Sequence, residues 1–428
     1  MLAYGAFLRH SAEILAESKT PFGSVLVTGP PHLSPDIAMS VFRGLDYYLL
    51  DDMLSEEEIM VRDMTRDFVS DEVMPIIADA YEKAEFPREL IGKVGELGML
   101  GANLPAKYGC AELGPIAYGL ICQELERGDS GLRSFVSVQG SLAMWPIFAY
   151  GSEEQRMRWL PGMAKGELIG CFGLTEPDHG SDPSGMLTRA RKDGDEWVLN
   201  GAKMWITNGT VSDVAVVWAK DDDGVIHGFL VEKGMEGFSA PEQKRKFSLR
   251  ASVTSELVFE DVRVPDSNRL PGVQGLKGPL GCLTQARYGI AWGGVGAALA
   301  CYDEVLNYTK SREQFGKPLA GFQLIQANLA EMVTEITKAQ LVAWRLGKLK
   351  EAKKARPQHV SLAKRNNIKM ALDVARMARD MLGANGVTGE YQSMRHMCNL
   401  ESVYTYEGTH NIHTLILGQD VTGIGAFG

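Results

Sequence analysis

The chain has 428 residues, enough for two or three domains of ordinary size, and its 45% apolar and 23% charged residues exclude a disordered or fibrous polypeptide. Acidic residues outnumber basic ones by 54 to 44, a formal charge of −10, which argues against a nucleic-acid binder, whose footprint is basic. Six scattered cysteines (Cys110, Cys122, Cys171, Cys282, Cys301, Cys398) offer no C-x-x-C spacing for a zinc knuckle or a redox dithiol, and no run of 18 apolar residues predicts a membrane span.

Residues 1–38 open on an apolar stretch with no basic residue ahead of it and carry Glu13 and Glu17, which fits neither a signal peptide nor a transit peptide. They read as an extension outside the fold, with Met39 a sensible alternative beginning. Free thiols suit a reducing compartment, so the expectation is a cytoplasmic protein, or one of the mitochondrial matrix if the source is eukaryotic.

The next stretch, 39–168, is helical. Ser55 followed by Glu56, Glu57 and Glu58 is a helix start. Met60, Met64 and Phe68 form a stripe at spacing four, with Val61, Val69 and Val73 beside it. Helices are predicted near Arg88–Leu97, stopped by Gly98, and near Pro115–Arg127, stopped by Gly128; Pro146 and Pro161 punctuate further helical segments. Over 169–273 the pattern turns to strands. Trp197–Gly201, Val214–Trp218 and Gly228–Glu232 read as strands, and the hairpin signals Asp193-Gly194 and Asp223-Gly224 sit between apolar runs. Glu256–Phe259 and Asp261–Pro265 read as a further strand pair, and the whole as an antiparallel sheet with too few crossovers for a dinucleotide-binding unit. Over 274–428 the helical period returns. Leu329, Met332, Val333 and Ile336 mark a buried face of a helix over about 323–350, whose Lys-rich end to Arg356 reads as solvated. Another helix runs near Ser361–Leu382 and a last one fills the C-terminal end. The expected class is α+β: helices, sheet, helices.

Four segments look unlike plain scaffold. Cys171–Asp182 gathers turn residues and hydroxyls around Thr175 and Ser181, suited to a cofactor's pyrophosphate or equally to a loop between domains. In Lys203-Met-Trp-Ile-Thr-Asn-Gly209 the Trp can wall a flat ring or fill a core. Glu407 lies between Tyr406, which can exclude water, and Gly408, which admits a close approach, so it is either a tuned base or a surface carboxylate. Arg133, in Glu126–Ser134, can clamp a carboxylate or make an ordinary ion pair. Glu176-Pro-Asp-His179 and Glu407-Gly-Thr-His410 match the Glu-x-x-His spacing of di-iron bundles, but Pro177 and Gly408 disfavour the helices that chemistry needs; no metal is expected. His410-x-x-His413 reads as packing, and no Gly-x-Ser-x-Gly elbow marks a serine nucleophile.

Phe172-Gly-Leu-Thr-Glu-Pro, Lys203-Met-Trp-Ile-Thr-Asn-Gly, Ser311-Arg-Glu-Gln-Phe-Gly-Lys-Pro and Leu382-Gly-Ala-Asn-Gly together resemble the acyl-CoA dehydrogenase family of flavoenzymes, from about Leu54 to the C-terminus. The resemblance implies FAD held by Phe172, Leu174, Thr175 and Ser181, with Trp205, Ile206 and Thr207 at the flavin ring. Arg312, Gln314, Phe315, Gln323, Asp380, Gly383 and Ala384 would hold the adenosine and pyrophosphate part across a subunit boundary of a homotetramer, and Thr409 and Phe427 would complete the site. Ala384 stands where many members have a second Gly.

The acyl-CoA ester would lie along Ser181, Leu280 and Arg287. Glu407 would be the base that removes the α-proton while a hydride leaves Cβ for flavin N5, with Gly408 beside the thioester. Glu124–Ser134, Lys246–Ser252 and Lys364–Asn367 are similar to the glutaryl-CoA branch, in which Arg133, Ser134 and Glu126 face the distal carboxylate. Tyr406 before the Glu matches its decarboxylating members. The resemblance therefore implies oxidation of glutaryl-CoA to crotonyl-CoA and CO2, with electrons passed to an electron-transferring flavoprotein. The alternatives are a non-decarboxylating or short-chain dehydrogenase, an acyl-CoA oxidase, or a non-catalytic scaffold of the same fold.

Overall fold

The computed structural model describes residues 42–427; the reading of residues 1–38 as an extension lies outside the described residues. Ser55 starts the first long helix, α1 (Glu56–Phe68), through a reciprocal cap: its hydroxyl accepts from the Glu58 amide (3.3 Å), while Glu58 Oε2 accepts from the Ser55 amide (2.7 Å). The buried face runs through Val61, Thr65 and Phe68 and on to Val69 and Val73, as expected of Phe68 and the valines, whereas Met60, expected in the same stripe, is 64% exposed. A polar residue is tolerated there because Thr65 Oγ1 donates to the Val61 carbonyl (2.8 Å). A wide π turn (Val69–Val73) leads into α2 (Met74–Lys83), and α3 (Leu90–Glu96) follows.

The spine of this half is α4 (Pro115–Gly128), which runs into α5 (Ser130–Ser137) and a second π segment; every residue from Ile116 to Met144 is buried. Helices α6 (Trp145–Tyr150) and α7 (Glu153–Ala164) complete it, with Pro161 inside α7 rather than between helices.

The sheet is built from β1 (Gly170–Gly173), β2 (Arg189–Asp193), β3 (Glu196–Thr207), β4 (Val214–Lys220), β5 (Ile226–Glu232), β6 (Phe238–Ser239) and β7 (Thr254–Pro265), in the order β1-β4-β2-β3-β7-β6 with β5 beside β4. Both hairpin signals form turns, with Gly194 at φ +61° and Gly224 at φ +79°. Two features differ from expectation. The sheet is mixed, because β1 runs parallel to β4 and β2 touches β4 in parallel at one end. The anticipated strand pair 256–265 is one strand, β7, carrying a bulge: Asp261 takes φ +52°, its amide donates to Asn200 Oδ1 (3.0 Å), and Asn200 Nδ2 donates back to Asp261 Oδ1 (2.9 Å). The chain does not reverse between the two expected strands; it kinks outward at Asp261 and the strand continues.

The C-terminal half is α8 (Lys277–Ser311), a short hairpin of β8 (Glu313–Gln314) and β9 (Lys317–Pro318), α9 (Gln323–Glu351), α10 (Pro357–Met381), α11 (Ser393–Thr405) and α12 (His410–Thr422). Met332 and Ile336 are fully buried as their spacing predicts. In the Lys-rich end of α9, Lys350 turns inward rather than into solvent, donating to Gln285 Oε1 (2.6 Å) above the Tyr288 ring; burial pulls its ammonium down to about 8. Helices α4 and α8 cross closely because glycines line the contact. A Cβ on Gly296 would lie 1.8 Å from the Gln123 carbonyl oxygen, and one on Gly293 1.8 Å from Glu126 Oε2.

Asp129 joins the two helical halves. It caps α5 through the Gly131 amide (2.7 Å), and its other oxygen accepts from Arg395 Nη1 (2.7 Å) and Asn399 Nδ2 (2.8 Å) of α11. Asp129→Ala removes the cap and leaves Arg395 buried without its carboxylate, so the expected loss of unfolding free energy is about 3–5 kcal/mol. Urea unfolding measures it, and a loss below about 1 kcal/mol would contradict the role given to Asp129.

Candidate active site

Glu407 lies in the short link between α11 and α12, which ends when Thr409 Oγ1 accepts from the Ile412 amide (3.1 Å). Glu407 takes φ +51° and Gly408 φ +88°, a left-handed pair that is unusual for a glutamate. At Gly408 that φ favours glycine, and a Cβ there would also crowd Arg287 Nη2 and His413 Nε2, each at 3.0 Å. Arg287 Nε donates to the Glu407 carbonyl (2.7 Å). Leu280, Thr284 and Arg287 lie at i, i+4 and i+7 on one face of α8.

Although Glu407 as a residue is half-buried, its Oε2 is fully buried and has no hydrogen-bond partner among the described residues. Burial raises this carboxyl above its ordinary value, against the opposing charges of Lys364, Arg133 and Arg287.

Beside the turn is a second group. Arg133 is 1% exposed, and its Nε donates to Glu126 Oε2 at 2.6 Å, with Nη2 to Glu126 Oε1 at 3.4 Å. Nη2 also donates to the Tyr406 hydroxyl, which lies 3.3 Å from Ser134 Oγ. Burial raises the Tyr406 phenol to about 12, so it remains a neutral hydroxyl. Thus α4 supplies Glu126, α5 supplies Arg133 and Ser134, and the end of α11 supplies Tyr406.

The third group is the loop after β1. Phe172 and Leu174 are buried, Thr175 is half-buried with its carbonyl accepting from the Met204 amide (2.8 Å), and Ser181 is exposed. At the end of β3, Trp205 is 63% exposed in a left-handed conformation (φ +64°), flanked by buried Ile206 and half-buried Thr207. A residue between them, weighed from the sequence only for its Glu-x-x-His spacing, fixes the loop. Glu176 accepts from the amides of Leu187 (2.6 Å) and Thr188 (2.9 Å), from Thr188 Oγ1 (2.6 Å) and from Lys203 Nζ (2.8 Å). Burial acts to raise the Glu176 carboxyl, but Lys203 and these donors hold it at about 2. Burial likewise lowers Lys203 to about 8 against the pull of Glu176, so the pair is ionised at neutral pH.

Arg312, Gln314, Phe315 and Gln323, with Asp380, Gly383, Ala384 and Phe427, are all exposed in the single chain. The turn after α10 meets the C-terminal end of α8 through Asn385 Nδ2 and the Tyr308 hydroxyl (3.1 Å), which brings the Gly383 and Arg312 segments together.

Three family models cover the chain in order: the acyl-CoA dehydrogenase N-terminal domain matches 55–167, the middle domain 171–262 and the C-terminal domain 274–422. The chain therefore belongs to the acyl-CoA dehydrogenase family, whose helix–sheet–helix order it shows. The mitochondrial short-chain specific acyl-CoA dehydrogenase of Bos taurus is 36% identical over 370 residues, 85% of this chain and 90% of the relative. A glutaryl-CoA dehydrogenase structure from Mycobacterium smegmatis is 57% identical, with a TM-score of 0.87 over 89% of this chain and 98% of that one. A second such structure from that organism, in complex with FADH2, is 52% identical with a TM-score of 0.87 over 88% and 97%.

Glu176→Gln keeps the shape but leaves Lys203 buried without its counter-ion, with an expected cost of about 3–5 kcal/mol at neutral pH. A carboxylate lowered on folding contributes stability above its unfolded value near 4.5 and loses it as pH falls to about 2. The variant's unfolding free energy should therefore change less across that window than the parent's; equal slopes in urea titrations would refute the pairing.

Proposed function

We propose that the chain is an FAD-dependent dehydrogenase that oxidises and decarboxylates glutaryl-CoA to crotonyl-CoA and CO2. The observation that carries the reading is the meeting of two groups: a buried, unpartnered carboxylate oxygen on Glu407, and a buried arginine held by Glu126 and Tyr406. The first is a base with nothing to bind but a substrate proton. The second is a carboxylate receptor where a simple acyl chain would need only apolar walls.

The residues present fit FAD. Trp205, an aromatic ring presented outward from a left-handed bulge near the end of β3, stands beside the Thr175 loop, and such exposure is what a flat ring would cover. Phe172, Leu174, Ile206 and Thr207 would complete this wall. Arg312, Gln314, Phe315, Gln323, Asp380, Gly383, Ala384, Thr409 and Phe427 would serve the remainder of the cofactor, in part across a subunit boundary. That Phe315 is 95% exposed and Phe427 55% exposed in the single chain supports such an assembly, a homotetramer. When bound, FAD supplies the two-electron acceptor, whose electrons then pass to an electron-transferring flavoprotein.

Glu407 Oε2 takes the α-proton of the thioester, and burial makes this carboxylate basic enough to do so. The Glu407 amide serves as a donor to the thioester oxygen, where negative charge develops. Arg133, aimed by Glu126 and aided by Ser134, receives the distal carboxylate and sets the acyl chain's register, with Leu280 and Ser181 toward the CoA end. After desaturation the C–C bond to the carboxylate breaks, CO2 leaves, and its electron pair delocalises toward the thioester. Glu407, now protonated, returns a proton to Cγ and gives crotonyl-CoA.

Mass spectrometry of the acyl-CoA product, after incubation with glutaryl-CoA and a dye acceptor, tests the reaction. Crotonyl-CoA is expected; glutaconyl-CoA would overturn decarboxylation. Arg133→Ala should reduce kcat/KM for glutaryl-CoA on the order of a hundredfold more than for butyryl-CoA. Equal losses on both substrates would remove Arg133 as the specificity residue.

A further inference from the structure

The turn that carries Glu407 is held from behind by a lysine to which the proposed reaction gives no part. Lys364 of α10 is 2% exposed. Its Nζ donates to the carbonyls of Tyr406 and Gly408 (2.8 Å to the latter) and lies 3.5 Å from that of Glu407, so its donors go to backbone oxygens rather than to a carboxylate. It also lies 5.6 Å from the centre of the Tyr406 ring. Three successive carbonyls can point to one atom only if the chain turns sharply between them, and Glu407 and Gly408 make that turn with φ of +51° and +88°. A buried ammonium is costly unless fully partnered, and a glutamate in a left-handed conformation persists only where its surroundings impose it. Each feature offsets the cost of the other.

We propose that Lys364 is a positioning residue for the base, gathering the 406–408 carbonyls to aim the Glu407 carboxylate and supplying the positive charge beside it. The inference rests on the reading of Glu407 as the base. Other groups face that carboxylate but do not duplicate the role. Arg287 of α8 holds the Glu407 carbonyl from a different side. Arg133 of α5 is already paired with Glu126 of α4. Tyr406 is a neutral phenol, and the His413 imidazole of α12, lowered to about 2 by burial, carries no charge at neutral pH. Of the cations that oppose the burial of Glu407, Lys364 acts most strongly, while burial draws its own ammonium well below the ordinary value. A positive charge on Lys364 favours the ionised carboxylate, so removing it moves proton loss from Glu407 to higher pH.

The test uses the full chain loaded with FAD and an acyl-CoA thioester with sulfur in place of Cβ, which can lose an α-proton but has no β-hydrogen to lose. Exchange of that proton in D2O is followed by NMR between about pH 5 and 9, alongside the absorbance of bound flavin. Lys364→Met should bind FAD with unchanged stoichiometry, exchange on the order of a hundredfold more slowly, and show its acid limb about one pH unit higher. Lys364→Gln, which keeps N–H donors but lacks the charge, should recover much of the rate at high pH while retaining the displaced limb. An unshifted limb with exchange within about threefold of the parent overturns the positioning role; if Lys364→Met does not fold, the limb of Lys364→Gln decides. Glu407→Gln separates the two readings: normal exchange in it would overturn Glu407 as the base, whereas abolished exchange there with parent-like lysine variants would overturn only the role of Lys364.

Discussion

The site depends on one burial: the Arg133–Glu126 ion pair, fully withdrawn from water beneath the α4–α8 crossing. Removing two charges from solvent costs several kcal/mol per ion, which only close geometry and further hydrogen bonds can offset. Those conditions propagate through the fold. The pair needs space, and Gly293 leaves it by carrying no side chain where Glu126 Oε2 lies. It needs the Tyr406 hydroxyl, and so needs α11 to end at that place. Helix α11 is held by Arg395 and Asn399 on Asp129, the residue that also caps the helix bearing Arg133. One aspartate thus sets both the start of the arginine's helix and the approach of its phenolic partner.

A similar economy governs the loop after β1. Glu176 and Lys203 sit in two of the motifs that carry the family resemblance, yet neither side chain is presented to a ligand. Their ion pair ties the Thr175 turn to the end of β3 and to the 187–188 strand entry. The outward-facing residues, Trp205 and Ser181, are then presented from rigid backbone, and the polar atoms that would otherwise compete for a ligand are consumed inside the protein.

Much of this was legible in the sequence wherever the signal is local. The Ser55 cap, the Asp193-Gly194 and Asp223-Gly224 hairpins and the Met332–Ile336 face follow from spacing alone, because each is decided within a few residues. Readings failed where a tertiary contact outweighed local pattern. Lys350 turns inward because Tyr288 and Gln285 receive it. At Asp261 the two expected strands are one bulged strand because Asn200 lies across the ladder and exchanges hydrogen bonds with it. The residues expected at the base and the arginine, Glu407, Arg287, Arg133, Glu126, Ser134 and Tyr406, are brought together. The motif resemblance supplied them, since no spacing rule connects positions 133 and 406. The work of Lys364 was hidden for the same reason: it is expressed only through backbone oxygens 42 to 44 positions away.

The pairing of Arg133 with Glu126 also bears on how one side chain can serve both halves of the proposed reaction. A lone buried arginine would bind a carboxylate tightly and, by the same attraction, oppose its departure as neutral CO2. Here the guanidinium is already neutralised by Glu126 before any substrate arrives, and part of its donor capacity is spent on Glu126 and Tyr406. What remains for the substrate is directional hydrogen bonding with little net charge behind it. Such a receptor discriminates a carboxylate from a methyl group by leaving its donors unpaired in the wrong complex, and it does not require charge separation to be undone when CO2 leaves. Tyr406 stands where the receptor and the base meet, its hydroxyl on Arg133 and its carbonyl on Lys364. In the proposed reaction its place beside Glu407 would couple the register of the distal carboxylate to the aim of the base.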